Sequence, residues 1–282
     1  MAVRFAGGQG VELVCDIVGR WTDPAVLLLH GGGQTRFSWG GTASALGDQG
    51  FLTFALDARG HGESDWAPDG GYSIDAYAED LRRVARQIGR PVALVGASLG
   101  GLASIIAAGE PPAVPCTALV LVDVTPRMNE EGKQAIAAFM TAHPEGFVSV
   151  EEAADAVSAF LPHRPRPSDV SGLRKNLRRG DDGRYYWHWD PRMLTEPRGP
   201  GQAAPQRFEK ALAGMQVPVM LIRGGISEVV GEEDVAAFRA VAPQAEYVDV
   251  PNAAHMVAGD RNDVFTGAVV DFLDRHRPRD SR

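Results

Sequence analysis

Five short apolar runs constrain this chain more than any other feature: Val11–Val18, Ala25–Leu29, Phe51–Leu56, Pro91–Val95 and Ala118–Val124. Four of them run through leucine and β-branched residues almost without polar interruption, where a strand with one wet face would alternate. Continuous runs of this kind are what strands covered on both faces require. Between the third and fourth, Ile74, Tyr77, Leu81, Val84 and Ile88 recur at helical spacing. Ser73 is placed to cap that helix at its N-terminus, and Gly89 stands where its C-terminal stop belongs. Strand, helix and strand in repetition predict an α/β fold, with a mostly parallel central sheet and helices on both faces.

The pattern lapses after Val124. From 126 to 215 the chain reads as helices separated by proline-rich joints (LPHRPRPSD, DPRMLTEPRGPGQAAP), with no buried-strand pattern. It resumes at Val217–Ile222, continues through a helix over Glu232–Val241 and a strand at Glu246–Val250, and closes with a helix near Asn262–His276. Residues 1–125 and 216–282 are therefore expected to form one core, interrupted by a helical cap or lid over 126–215. The chain has 282 residues, 44% of them hydrophobic, enough for a sizeable core and too many for a disordered chain. Its 28 basic against 36 acidic side chains leave a net charge of −8, which argues against nucleic acid as a partner. No apolar run approaches the about 20 residues that span a bilayer. The opening MAVRFAGGQGVEL lacks the apolar stretch of a signal peptide, and Cys15 and Cys116 alone make no disulfide framework. A cytoplasmic protein is expected, with room for a homodimer.

Gly96-Ala97-Ser98-Leu99-Gly100 follows the PVALV run directly and opens an apolar helix, LASIIAA. A serine on a sharp strand-to-helix turn is exposed, and only small neighbours tolerate so tight a backbone. The helix N-terminus beneath it offers N–H groups and a dipole that favours negative charge. His30-Gly31-Gly32-Gly33 stands just after AVLLL, where glycines let the backbone approach a substrate oxygen.

With HGGGQTRFSW at 30–39, DARGHGESD at 57–65, GASLGG at 96–101, RGGISEVV at 223–230 and NAAHMVAGDRND at 252–263, the chain resembles the α/β-hydrolases of the epoxide hydrolase, haloperoxidase and esterase grouping. The motifs occur in that family's order and span nearly the whole chain, leaving only the insertion without one. The resemblance implies Ser98 as nucleophile, His255 as base, and the backbone N–H groups of Gly32 and Leu99 as an oxyanion hole. It implies a structural role for the turn Asp57, Arg59, Gly60, His61 and Gly62, and for His30 a bracing role under the oxyanion loop. The triad acid of such enzymes follows a late core strand, where this chain carries Glu228 in Gly224-Gly225-Ile226-Ser227-Glu228. Glu228 is the expected acid, and Asp123, at the close of the Ala118–Val124 run, is its rival; either carboxylate suits a triad.

Epoxide hydrolases and haloalkane dehalogenases of this grouping attack carbon with a carboxylate at the elbow, a task Ser98 does not fit. Serine attack on a carbonyl gives an acyl-enzyme that water then cleaves. Hydrolysis of a carboxylic ester or lactone is therefore expected, without cofactor or metal. Perhydrolase or carbon–carbon bond hydrolase chemistry is the alternative, and a small-molecule receptor without catalysis is the second. No Cys/His/Asp cluster has metal-ligand spacing and no GxxxxGK[ST] loop is present. Trp187, His188 and Trp189, with several phenylalanines of the insertion, are candidates for the pocket wall around an apolar substrate. The arginines and lysine between 164 and 184 read as a solvated helical face, with an anionic substrate as the lesser reading.

Overall fold

The computed structural model describes residues 2–195, 203–257 and 262–278. The remaining parts of the proline-rich joint (196–202), the histidine motif (258–261) and the charged C-terminal end (279–282) lie outside the described residues. Among the described residues ten strands are formed: β1 (Ala2–Ala6), β2 (Glu12–Val18), β3 (Ala25–Leu29), β4 (Leu52–Leu56), β5 (Val92–Ala97), β6 (Cys116–Val122), β7 (Leu177–Arg179), β8 (Tyr185–Trp187), β9 (Val219–Gly224) and β10 (Glu246–Val250). Eight of them make one sheet in the order β1-β2-β4-β3-β5-β6-β9-β10. The first three in that order pair antiparallel and every later pair is parallel. This is the α/β-hydrolase fold, as the sequence leads one to expect.

All five residues of β3 and of β4 are buried. Because strand side chains alternate between faces, each apolar run supplies two cores at once. Leu27, Leu29, Phe54, Leu94, Leu119 and Leu121 join one, and Val26, Leu28, Val95, Val120 and Val122 join the other with Trp39, Phe265 and Phe272. The helices that cover them are α1 (Gly40–Asp48), α2 (Ile74–Ile88), α3 (Leu99–Gly109) and, late in the chain, α8 (Glu232–Val241) and Asn262–Arg275. Helix α2 is capped as expected: Ser73 Oγ accepts from the Ala76 N–H, and Gly89 closes the helix at φ 73°. Strand β1 escaped the sequence reading because only alternate residues of AVRFA are partly buried, so it makes no apolar run. No helix among the described residues is long and apolar enough to cross a membrane.

Between β6 and β9 lie α4 (Glu130–Thr141), α5 (Val150–Phe160), a short α6 (Arg192–Thr195) and α7 (Pro205–Ala213). Two features depart from the expected all-helical insertion. Strands β7 and β8 form an antiparallel hairpin, with Leu177 opposite Trp187, across a turn in which Gly183 takes φ +81°. The aromatic Tyr185-Tyr186-Trp187 favours a pleated strand, but three residues are too few to read as a run. Helix α7 buries Phe208, Ala211 and Leu212 and packs on α3, where a Cβ on Gly109 would come within 2.8 Å of Ala211 Cβ. By its packing, α7 serves the core although it lies within 126–215.

Candidate active site

Ser98 stands between the end of β5 and the first residue of α3, at φ 46° and ψ −115°. A conformation this far from the populated regions costs about 1–3 kcal/mol and persists only where the surroundings impose it. Here the imposition is steric. A Cβ on Gly96 would lie 2.6 Å from the Gly100 backbone, and one on Gly100 would lie 2.5 Å from the Leu29 carbonyl oxygen. Strand, helix and neighbouring loop meet too closely for side chains at positions 96 and 100. The Ser98 N–H donates to the Val122 carbonyl at 3.2 Å, tying the turn to the end of β6.

That tie places the next residue, Asp123, beside the turn. Asp123 is fully buried, at φ 47°. Its Oδ1 accepts from the Gly224 N–H at 2.9 Å, and its Oδ2 accepts from Ser227 Oγ at 2.5 Å and faces His255 Nδ1 at 2.7 Å. Ser227 Oγ itself accepts from the N–H groups of Val229 and Val230 at 3.1 Å each, which leaves its hydrogen for the carboxylate. Donors of this number offset the cost of burying an anion. His255 follows β10 in a loop held by the Ile226 N–H on the Ala253 carbonyl and by Arg164 Nη2 on the Met256 carbonyl.

The acid expected from the sequence is therefore corrected. His255 meets Asp123, while Glu228 is exposed at the rim of the neighbouring cavity. The reason lies in the sheet. Asp123 directly follows β6, which pairs with β5 and brings residue 123 level with Ser98, whereas Glu228 lies four residues past the end of β9. In the loop after β9, the inward-facing residue is Ser227, one position before the glutamate.

Ser98, Leu99, Gly32 and His255 open on one cavity of about 570 Å³. A Cβ on Gly31 would lie 3.2 Å from Ser98 Cβ, so the glycine loop passes immediately beside the serine. Phe139, Phe160, Trp187, Trp189, Met140 and Met193 from the insertion wall the cavity. Phe139 stacks on Phe160 at 4.3 Å between ring centroids, and Trp187 on Trp189 at 4.9 Å. Lys133 is paired with Glu130 at 2.7 Å. Several basic side chains of the insertion are engaged away from the cavity: Arg166 with Asp155, Arg178 over the Trp66 ring and Arg184 on the Gly146 carbonyl.

His188 does not line this cavity, contrary to the expectation that grouped it with the two tryptophans. It is 2% exposed and accepts from the Gly62 N–H at 2.8 Å, on the far side of the glycine loop. Residues 187 and 189 face the cavity and 188 faces away, as the two-residue alternation of extended chain dictates. His30 and His61 are buried beside it, the former on the Gly31 carbonyl and the Ala58 N–H, the latter on the Arg59 carbonyl and the Gly33 N–H. Asp57 accepts from the Arg36 and Glu63 N–H groups and pairs with the Arg36 guanidinium, so that turn is braced rather than open to substrate. Among the described residues no group of three or more His, Cys, Asp or Glu side chains is arranged to hold a metal ion.

Burial pushes His30 down to about 4 and His61 to about 3, and holds His188 well below the usual histidine range. Unfolded, each would titrate near about 6.5. The native state therefore binds fewer protons than the unfolded state below that pH. Stability is full above about 6.5 and falls as the pH drops towards 4, by up to about 1.4 kcal/mol per pH unit for each histidine. The urea midpoint is expected to fall steadily between pH 6.5 and 5, before carboxylates begin to titrate. A midpoint flat over that interval would mean that these imidazoles take up protons without penalty.

Known proteins resemble this chain in sequence and in fold. The alpha/beta hydrolase fold family matches residues 24–261. An esterase of Mycobacterium tuberculosis is 33% identical over 267 residues, covering 90% of this chain and 85% of its own. A mouse sn-1-specific diacylglycerol lipase is 31% identical, covering 89% of this chain and 81% of its own. Among solved structures, E-2-(acetamidomethylene)succinate hydrolase superposes with a TM-score of 0.86 at 25% identity, over 97% of this chain and 99% of that one.

Proposed function

The chain belongs to the α/β-hydrolase family, and we propose that within it this protein is a serine esterase acting on carboxylic esters or lactones with an apolar acyl group, through Ser98, His255 and Asp123. The observation that carries the reading is the 2.7 Å contact of His255 Nδ1 with Asp123, on a loop that opens with Ser98 on the same cavity. With Nδ1–H held by the carboxylate, His255 presents Nε2 as the base. Nε2 takes the Ser98 proton as Oγ attacks the substrate carbonyl, and the resulting imidazolium is stabilised by Asp123. The tetrahedral oxyanion is received by the N–H groups of Gly32 and Leu99, the latter at the N-terminus of α3. As the carbon–oxygen bond breaks, the imidazolium returns its proton to the departing alcohol. Water then attacks the acyl-enzyme with the same base, releasing the acid and free serine.

The cavity supports the substrate class. At about 30 Å³ for a small group at liquid density, 570 Å³ accommodates roughly twenty non-hydrogen atoms. Its walls are aromatic and thioether, which favours an apolar acyl chain or ring. The likeness to the succinate-type hydrolase favours a second reading, an anionic substrate. Against it, Lys133 is paired with Glu130, and Arg164 donates to the Met256 carbonyl.

A series of p-nitrophenyl esters from acetate to dodecanoate tests the reading. Turnover is expected to rise to a medium chain length and then fall. Trp187→Ala and Trp189→Ala are expected to shift that optimum and to raise KM for the longer esters by about tenfold, as lost burial of an aromatic wall predicts. Absence of turnover across the series, with saturable binding of the same esters, would make the protein a receptor. Unaltered chain selectivity in both variants would leave the tryptophans only a packing role.

A further inference from the structure

Three consecutive peptide units of the glycine loop are gripped by buried imidazoles, and backbone chemistry settles which nitrogen of each ring carries the proton. The N–H groups of Ala58, Gly33 and Gly62 can only donate, so His30 Nε2, His61 Nε2 and His188 Nδ1 are the bare nitrogens. The protons are then on His30 Nδ1, His61 Nδ1 and His188 Nε2. His30 thus donates to the Gly31 carbonyl at 2.8 Å, and His188 donates to the Gly33 carbonyl at 3.3 Å. In a trans peptide, C=O and N–H point in opposite directions. The Gly31 carbonyl shares its plane with the Gly32 N–H, so holding the carbonyl on His30 aims that N–H the other way. The following plane is fixed at the Gly33 N–H by His61, and the one after it at the Gly33 carbonyl by His188.

Two of these rings belong to the core. His188 does not: it follows β8 and comes from the insertion between β6 and β9. It is the side chain through which the insertion holds both the Gly33 carbonyl and the Gly62 N–H of the turn that carries His61. Trp189, one residue on, packs its ring against Gly33 from the cavity side, 3.5 Å from where a Cβ would stand. Gly33 itself is at φ +74°, a conformation with little intrinsic preference to hold it.

We propose that His188 is a positioning residue for the oxyanion hole: its Nε2–H on the Gly33 carbonyl and its Nδ1 on the Gly62 N–H hold the far end of the loop whose Gly32 N–H is aimed by His30, so that the hole is complete only when the insertion is seated. This rests on the ester-hydrolase reading for its kinetic consequence. Its structural consequence stands independently. A loop free to rotate about Gly33 would misplace the donor by an ångström or so, and a loss of that kind costs up to about 100-fold.

The test uses the full chain with three variants. His188→Gln puts an amide N–H where Nε2–H stood and can still donate to Gly33. His188→Asn puts its carbonyl where Nδ1 stood and keeps only the acceptor for Gly62. His188→Leu keeps neither. Each is assayed with p-nitrophenyl acetate, too short to depend on the aromatic wall, and by hydrogen exchange of the peptide spanning residues 29–35. For Leu and Asn, kcat is expected to fall about 10- to 100-fold with KM within about threefold of wild type, and exchange in 29–35 to accelerate. Gln is expected to stay within about fivefold in kcat with near-native exchange. Equal losses in Gln and Leu, or loss of melting temperature with kcat and exchange unchanged, overturn the proposal. If the wild type hydrolyses no ester, the esterase reading fails, and the exchange ranking alone decides whether His188 holds the loop.

Discussion

Ser98→Ala is expected to lower kcat for ester hydrolysis by on the order of 10⁴-fold or more while leaving the folded structure nearly unchanged. The size follows from the unit character of a triad: without the nucleophile, the base and its orienting acid have no proton to move, and only binding and the oxyanion donors still act. The small structural effect follows from the geometry. Ser98 Oγ makes no helix-capping hydrogen bond, and alanine bears the same strained φ of 46° as serine. Glycine would not. Ser98→Gly, equally inactive, is expected to unfold a few degrees higher than Ser98→Ala, since relief of about 1–3 kcal/mol of backbone strain exceeds glycine's entropic cost. A fluorophosphonate should label the wild type once, at Ser98, and neither variant. Residual hydrolysis at near wild-type rate in both variants would remove Ser98 from the mechanism, and equal melting temperatures would deny the strain at the turn.

The contrast between what the sequence discloses and what it conceals is a contrast between local and convergent constraints. The apolar runs of β3 to β6 are legible because burial on both faces removes nearly every polar position, and Ser73 and Gly89 are legible because helix ends have local chemistry. Ser98 belongs to the same class: glycines at 96 and 100 answer backbone contacts inside one strand–turn–helix unit. The partner of His255 is of the other kind. It depends on which of two loops, 105 residues apart in sequence at 123 and 228, ends nearer the imidazole, and that is decided by the β5–β6–β9 neighbourhood of the sheet. One signal was present: a polar Asp123 breaking an otherwise unbroken apolar run, level with Ser98 if the two runs are adjacent. His188 likewise faces away from the cavity although the Trp-His-Trp triplet suggests one aromatic wall, because an extended backbone alternates its faces.

The two carboxylates make the largest remaining contrast. Asp123→Asn is expected to cost about 10⁴-fold in kcat, and Glu228→Gln less than about tenfold. In asparagine the group facing His255 Nδ1 can be an amide N–H, which stabilises the tautomer with Nδ1 bare and Nε2 protonated, the form unable to accept the Ser98 proton. The imidazolium formed during attack also loses its counter-charge in a fully buried position, where it matters most. Glu228 is exposed at the cavity rim, so its loss removes at most a screened charge. Ser227→Ala provides the graded intermediate. It removes the 2.5 Å donor on Asp123 Oδ2 but leaves the Gly224 N–H and His255 in place, so a loss of about tenfold is expected, between the two carboxylate variants. The reverse ranking of Asp123→Asn and Glu228→Gln would return the acid role to Glu228 and require the loop after β9 to rearrange when substrate binds.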